Sequence, residues 1–468
     1  MAFRVLPKWN QRMHSSPFLK HIGFIVLLLG LSFSSYPAYG QDEFDEPDEN
    51  VTKDITREIK DLSRQGDYPQ AIRLARREVT KRVKNYGPED PYVAKALQLL
   101  ATLQLKTGNT TKAGVLLKRA LTIRKNALGE DHLEYAETLN SMGQLYYQLG
   151  NYKKVESLYQ RARQIRVKKL GEFHPQVASV QNDLAELYRK TGNYSKAEPL
   201  YQSSLAIIEK NFGPDHTSVA NILNNMALFY YQSGDFDKVE SLYQRSLSIY
   251  EKTLGEFHPN VANSLNNLAE FYRNREKYKK AEPLYLRSLK IREDVFGKEH
   301  QKVGSSLNNL AGLYYNMGDY TKSELFYFRS IKTKEKALGN DHPKVARSLN
   351  NLAELYRKMG YFSEAEPILQ RSLKIKEKAF GPEHPGVATA LNNLAGLYYA
   401  KGEFDKAEPL YLRSLEIWKK SLGRDHPNIR VSINNLANLY RKMGKPKKAE
   451  PFIQQLNELK ENQVSAKK

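Results

Sequence analysis

Cysteine is absent from all 468 residues, which excludes disulfide bonds, thiolate metal sites and a cysteine nucleophile. The signatures of common catalytic centres are missing as well: the chain has no GxSxG elbow, HExxH helix, P-loop or dinucleotide fingerprint. The formal charge is +21, yet no recognised nucleic-acid motif and no local Arg/Lys block with interleaved aromatics accompanies it. Such a surplus favours acidic partners or anionic surfaces through long-range attraction, and it also serves plain solubility. The expectation is a protein that is not an enzyme, with no cofactor, no metal and no specific nucleic acid.

Residues 22–33 (IGFIVLLLGLSF) are about twelve residues of apolar chain, where a bilayer-spanning helix needs roughly 20. They follow a segment that holds Arg4, Lys8, Arg12 and Lys20 but no acid, and they precede SSYPAYG at 34–40, the shape of a signal-peptidase site cleaving after Gly40. Residues 1–40 are expected to be a signal peptide, with an uncleaved N-terminal anchor as the main rival and an accidental apolar segment of a cytoplasmic chain as the third reading. The corresponding location is periplasmic or extracellular, or membrane-anchored, with membrane proximity through residues 22–33. Residues 41–52, opening QDEFDEPDEN, read as an acidic flexible spacer.

What the chain has in abundance is a single phrase at a fixed interval of 42 residues. Leu265-Asn266-Asn267-Leu268-Ala269 recurs as Leu307-Asn308-Asn309-Leu310-Ala311 and as Leu349-Asn350-Asn351-Leu352-Ala353. Units of this size cannot bury their own apolar faces, so they stack into a solenoid with a continuous core. In one unit, Val387, Leu391, Leu394, Ala395, Leu397 and Tyr398 recur at helical spacing. Gly402 closes that helix, and Phe404, Ala407, Leu410, Tyr411, Ser414, Leu415 and Ile417 form the packing side of a second one. Pro409 falls in the early part of that second helix and suggests a slightly bent or late start. Glycine ends each unit at 87, 129, 171, 213, 255, 297, 339, 381 and 423, and His132, His174, His216, His258, His300, His342, His384 and His426 follow it. One histidine per unit cannot converge on a metal, so a structural role at the turn is expected. The fold class is therefore all-α, a right-handed superhelical solenoid of about ten antiparallel helix pairs over residues 53–460, with 461–468 as a disordered tail.

The motif H-P-x-V-A-x-x-L-N-N-L-A-x-L-Y, followed by G-x-Y-x-x-A-E-P-L-Y-x-R-S-L, resembles the tetratricopeptide repeats of kinesin light chains and their bacterial relatives with 42-residue units, over roughly residues 87–456. The resemblance implies that the first helix of each unit lines a concave groove and that asparagines of the repeated phrase grip the backbone of an extended peptide. On this sequence it points to Asn182, Asn224, Asn266, Asn308, Asn350, Asn392 and Asn434, with Asn225, Asn267, Asn309, Asn351, Asn393 and Asn435 beside them. No heptad coiled coil precedes the repeats, so motor association is not expected.

The residues themselves support two readings of those amides. A column of carboxamides can satisfy both polar groups of a guest backbone, or it can bond between neighbouring helices and hold the superhelical pitch. One column for each task is the expectation, without deciding which. A further column alternates strictly: Tyr147, Arg189, Tyr231, Arg273, Tyr315, Arg357, Tyr399 and Arg441. Glu186, Glu270 and Glu354 stand three residues before their arginines, a spacing that permits simple intrahelical ion pairs. Facing a groove, the same column would offer Arg189, Arg273, Arg357 and Arg441 to acidic groups, and Tyr231, Tyr315 and Tyr399 as flat amphipathic contacts. The expected function is a non-catalytic scaffold for a protein or extended peptide of acidic character; the alternative is a structural or self-assembling envelope component, and the oligomeric state stays open.

Overall fold

In the computed structural model, residues 49–422 and 426–465 are described, with side chains at 55–422 and 426–459. The expected signal or anchor segment and most of the acidic spacer lie outside the described residues. Among these residues there are twenty α-helices and one short 3-10 turn, Phe236–Lys238, and no strand. The helices pack consecutively as ten pairs, here called A and B in each unit. The first A helix, Glu49–Gln65, begins inside the stretch read as spacer, and the last B helix, Pro446–Ser465, continues past residue 460.

Eight of the ten A helices start on the histidine that follows the interunit glycine. The His384 Nδ1 accepts the amide of Gly386 at 2.8 Å and the His300 Nδ1 accepts that of Lys302 at 3.1 Å, so the imidazole satisfies a first-turn amide. All eight histidines of the series act this way, and Asp90 does so for Tyr92 in the second unit. Proline at the next position, as in Pro343 and Pro385, costs nothing there because its missing N–H had no helical acceptor. The sequence-based expectation for Pro409 needs adjustment: the B helix starts at Phe404 and runs through Pro409 to Ser421, so the proline lies within the second turn.

Between A and B helices of one unit, small residues let the backbones approach. Ser330 Oγ donates to the Gly304 carbonyl at 2.6 Å, and Ser372 Oγ donates to that of Ala346 at 2.9 Å. Ser204, Ser246, Ser288 and Ser414 repeat the bond, and every one of these hydroxyls is fully buried. Larger groups fill the remaining space: Val303, Leu307, Leu310 and Tyr327 are buried in the central unit, each worth roughly 1.5–3 kcal/mol in transfer from water. Successive units are tied from B to the next A helix by a tyrosine. Tyr314 donates to Glu282 at 2.7 Å, Tyr356 to Glu324 at 2.7 Å and Tyr398 to Glu366 at 3.0 Å.

The turn from A to B needs a left-handed residue, and glycine supplies it in nearly every unit, for example Gly318 at φ +82° and Gly360 at φ +82°. Glu276 occupies that place in one unit at φ +57°, the sole non-glycine residue with positive φ among the described residues. A Cβ in this conformation costs about 1–2 kcal/mol. Glu276→Gly is therefore expected to stabilise the protein by about 1 kcal/mol, read as a raised midpoint with unchanged slope in urea unfolding.

Candidate peptide-binding groove

Successive A helices reach one another through side chains separated by 43 residues, one more than the repeat. Asn225 donates to Asn182 at 3.1 Å, Asn309 to Asn266 at 2.9 Å, Asn351 to Asn308 at 3.2 Å and Asn435 to Asn392 at 3.0 Å. The doublet is thus a two-sided connector: the first Asn accepts from the unit ahead, and the second donates to the unit behind. Divergent units keep the register with other residues, Gln98 donating to Ser141 at 2.9 Å and Asn140 to Asp183 at 3.1 Å. A helices that touch directly, across the body of a pair, lie on the inside of the solenoid's curvature, so this ladder lies along the concave face.

Both asparagine columns take part in these interhelix bonds. At two steps the rung changes. Asn224 donates instead to Ser264 at 2.9 Å, and its Oδ1 is a buried acceptor without a hydrogen-bond partner among the described residues; Asn350 Oδ1 is in the same condition. Asn434 is half-buried on the same face, as are Asn267 and Asn393.

The alternating column is largely drawn inward. Arg189 makes a two-pronged pair with Glu186 at 3.0 and 2.9 Å and a third bond to Gln232 at 2.6 Å, and its side chain is sealed from solvent. Arg273 is equally buried and pairs with Glu270, whose other oxygen accepts from Tyr285 at 2.6 Å. Arg357 pairs with Glu354 at 2.5 Å but remains 32% exposed. Arg441 is exposed, and Tyr231, Tyr315 and Tyr399 are half-buried. The alternation has a steric basis at one step. A Cβ added to Gly312 would lie 2.5 Å from Arg273 Nη1, so the missing side chain in the Tyr unit makes room for the guanidinium of the Arg unit before it.

A second set of contacts was not legible in the repeat. The chain returns upon itself: Gln301 Nε2 donates to Tyr68 Oη at 2.5 Å across 233 residues, and His384 Nε2 bonds to the Gln148 carbonyl at 2.7 Å across 236. The A-to-B glycines provide the seats. Cβ atoms on Gly66 and Gly150 would fall 2.5 Å from His300 and 2.6 Å from Pro385, and Gly108 and Gly192 lie against His342 and His426. Burial pushes His300, His342 and His384 down to about 4 and His426 to about 3, with neighbouring cations such as Lys302, Lys344 and Lys190 adding to the effect. Lys302, Lys344 and Lys190 are lowered to about 8, first by desolvation and then by one another's charge or that of nearby arginines. Lys302 and Lys344 share one repeat position only in two consecutive units, that position being Ser218 and Asn260 earlier, and the position of Lys190 carries Gln148 in the unit before, so a reading built on recurrence along the whole array passes over them. Among the described residues no cluster of metal-binding side chains exists, and no helix is long and apolar enough to cross a membrane.

The tetratricopeptide-repeat sequence profile matches nine overlapping stretches that together run from residue 60 to 462, including 218–294, 260–336 and 302–378. The chain belongs to the tetratricopeptide-repeat family. No curated protein sequence matches it. Among solved structures, it is similar to a Rap protein complexed with Competence and Sporulation Factor, with a TM-score of 0.52, 14% identity, and coverage of 89% of this chain and 99% of that one. It is also similar to BtubC (BKLC) from P. vanneervenii, at 24% identity and TM-score 0.39 over 50% of this chain and 92% of that one. A Podosopora anserina chain described as a kinesin light chain with nearly identical TPR-like repeats shows 25% identity and TM-score 0.37 over 44% of this chain and 97% of that one.

Two expectations follow. A double-mutant cycle on Asn308→Ala and Asn351→Ala should give a coupling of about 0.5–1.5 kcal/mol in urea unfolding, because each single change leaves the other amide unmatched. For the histidines, the native value lies below the ordinary 6.5, so the unfolded chain binds more protons between those values. Stability is full above pH 6.5 and falls as pH drops toward 4. His384→Asn, which keeps a capping side chain, should flatten that loss in thermal melts between pH 7 and 4.5 at fixed salt.

Proposed function

We propose that the protein is a non-catalytic scaffold that holds an extended segment of a partner protein along the inner face of its A helices. The observation that carries this reading is the set of buried, unpartnered acceptors in the first asparagine column, Asn140 Oδ1, Asn224 Oδ1 and Asn350 Oδ1, on a face where other steps are closed by amide–amide bonds. A buried acceptor without a donor costs about 1–3 kcal/mol, and the N–H of an extended backbone would recover it. Asn267, Asn309, Asn351, Tyr315, Tyr399 and the accessible edge of Arg357 would then contact the guest beside those points. The formal charge of +21 favours a guest of acidic character. That the Rap structure holds Competence and Sporulation Factor supports, at the level of fold, a solenoid of this kind receiving a ligand. Export fits the same picture: residues 1–40 would deliver the repeats across a membrane, and mass spectrometry of the mature protein would then find Gln41 at its N-terminus.

The test compares captured partners for wild type and for Asn224→Ala combined with Asn350→Ala. Asn350→Ala alone should leave the melting temperature unchanged or raised, Asn224→Ala should cost about 0.5–1.5 kcal/mol for its lost bond to Ser264, and the combined variant should stay folded while specific partners are lost. Retention of every partner by the variant would end this reading, and light scattering that shows a concentration-dependent oligomer with no captured partner would favour the assembly alternative.

A further inference from the structure

The contact that closes the chain on itself repeats four times in one register. Gly66 of the first unit meets His300 at the start of the seventh, and Gly108 of the second meets His342 of the eighth. Gly150 of the third meets His384 and Pro385 of the ninth, and Gly192 of the fourth meets His426 of the tenth. Each step seats the first residues of an A helix on the A-to-B turn six units before it.

Two edges of the array stay uncovered, and they carry the two halves of the same contact. Gly318, Gly360, Gly402 and Gly444 hold the left-handed turn as Gly66, Gly108, Gly150 and Gly192 do, but the first four are exposed and the second four are not. On the other edge, His132, His174, His216 and His258 cap their helices as the covered histidines do. Apolar surface marks the open turns. Tyr68 and Tyr152, two residues past covered glycines, are 7% and 8% exposed, whereas Phe236 at the same place in the fifth unit is 38% exposed. Met317 and Tyr361, beside Gly318 and Gly360, are 44% and 43% exposed. Large apolar groups left uncovered along one edge mark an association surface.

We propose that the open turns of one molecule seat the open helix starts of a second copy of this chain, repeating between molecules the contact made within each. In the same register the seventh to tenth units of one copy receive the third to sixth units of the next, so Gly318, Gly360, Gly402 and Gly444 take His132, His174, His216 and His258. The adjoining step discriminates this register from others. Glu276, at the turn of the sixth unit, is the one residue with positive φ that is not glycine among the described residues. At the Gly66 step a Cβ would fall 2.5 Å from the imidazole, so a turn bearing a side chain does not suit a histidine. The start that falls opposite Glu276 is that of the second unit, where the shorter Asp90 takes the place of histidine and leaves room for a Cβ. Arg275 and Lys277 are exposed on that turn and Glu89 is exposed beside Asp90, so the step also joins opposite charges. The two edges differ, which makes the contact heterologous: each added copy offers a free edge to the next, and the assembly grows as an open filament. The seam uses the turn edges and leaves the asparagine face free, so association and guest capture are separate properties.

The experiment follows the full chain by sedimentation velocity from low to high micromolar concentration. The mean mass should rise past that of a dimer. Gly360→Asn with Gly402→Asn should move association to about tenfold higher concentration or more, because asparagine tolerates the left-handed turn while its side chain fills the seat. Thermal melts of that variant report that its fold is kept. A second measurement needs no seat variant: the cysteine-free chain is prepared separately as Phe404→Cys and as Thr217→Cys, and the two are mixed with a short bismaleimide. These positions stand in the register of the Tyr68–Gln301 bond, so they should join between molecules, whereas Phe404→Cys with Leu133→Cys, two units out of register, should not. A mass that stays at the monomer or stops at the dimer overturns the proposal, as does association of the folded asparagine variant at wild-type concentration or equal crosslinking of the two cysteine pairs.

Discussion

Hydrogen bonding between the carboxamides of neighbouring A helices fixes the distance between repeats on the inner side of the solenoid. B helices meet the next unit through longer reaches, such as the tyrosine bonds Tyr314–Glu282 and Tyr356–Glu324, so the two sides of each pair are spaced differently. A stack with a short inner and a long outer spacing must curve. Over roughly five and a half repeats the curvature returns the chain to itself, and Tyr68 meets Gln301 while Gln148 meets His384. The placement of the cations and the burial of the histidines both derive from that return.

The repeat made the architecture legible before any coordinates, because a 42-residue period with helical apolar spacing leaves few alternatives to stacked helix pairs. Histidine's part in the turn was legible for the same reason: a residue that recurs once per unit next to a helix start has a local duty. The asparagine doublet was only half legible. Its recurrence marked it as important, but the bond runs 43 residues, from one member of the doublet to the other, and a period alone does not reveal an offset of one. Two tasks assigned to two columns become one shared task with gaps, at Asn140, Asn224 and Asn350, where the candidate binding atoms stand.

The arginine column shows why side-chain direction decides function. Arg189 and Arg273 carry the residue type expected of an acid-binding groove, yet their guanidinium groups are spent on Glu186 and Glu270 and sealed from solvent. Sequence spacing allowed both outcomes; packing against Gly312 in one case and Gln232 in the other settled where the charge goes. Lys106, Lys302 and Lys344 illustrate the converse. Nothing in a single unit marks them, and Lys106 is brought to Lys302 and Lys344 only through the closure of the whole array.

Closure is therefore the claim on which the account rests, and the cysteine-free chain permits a direct measurement of it. Cysteines introduced as Tyr68→Cys and Gln301→Cys should be joined rapidly within one molecule by a short bismaleimide, while Tyr68→Cys with Asn428→Cys should not. Equal crosslinking of the two pairs, or none in the first, would contradict a solenoid whose inner amide ladder brings distant repeats into contact.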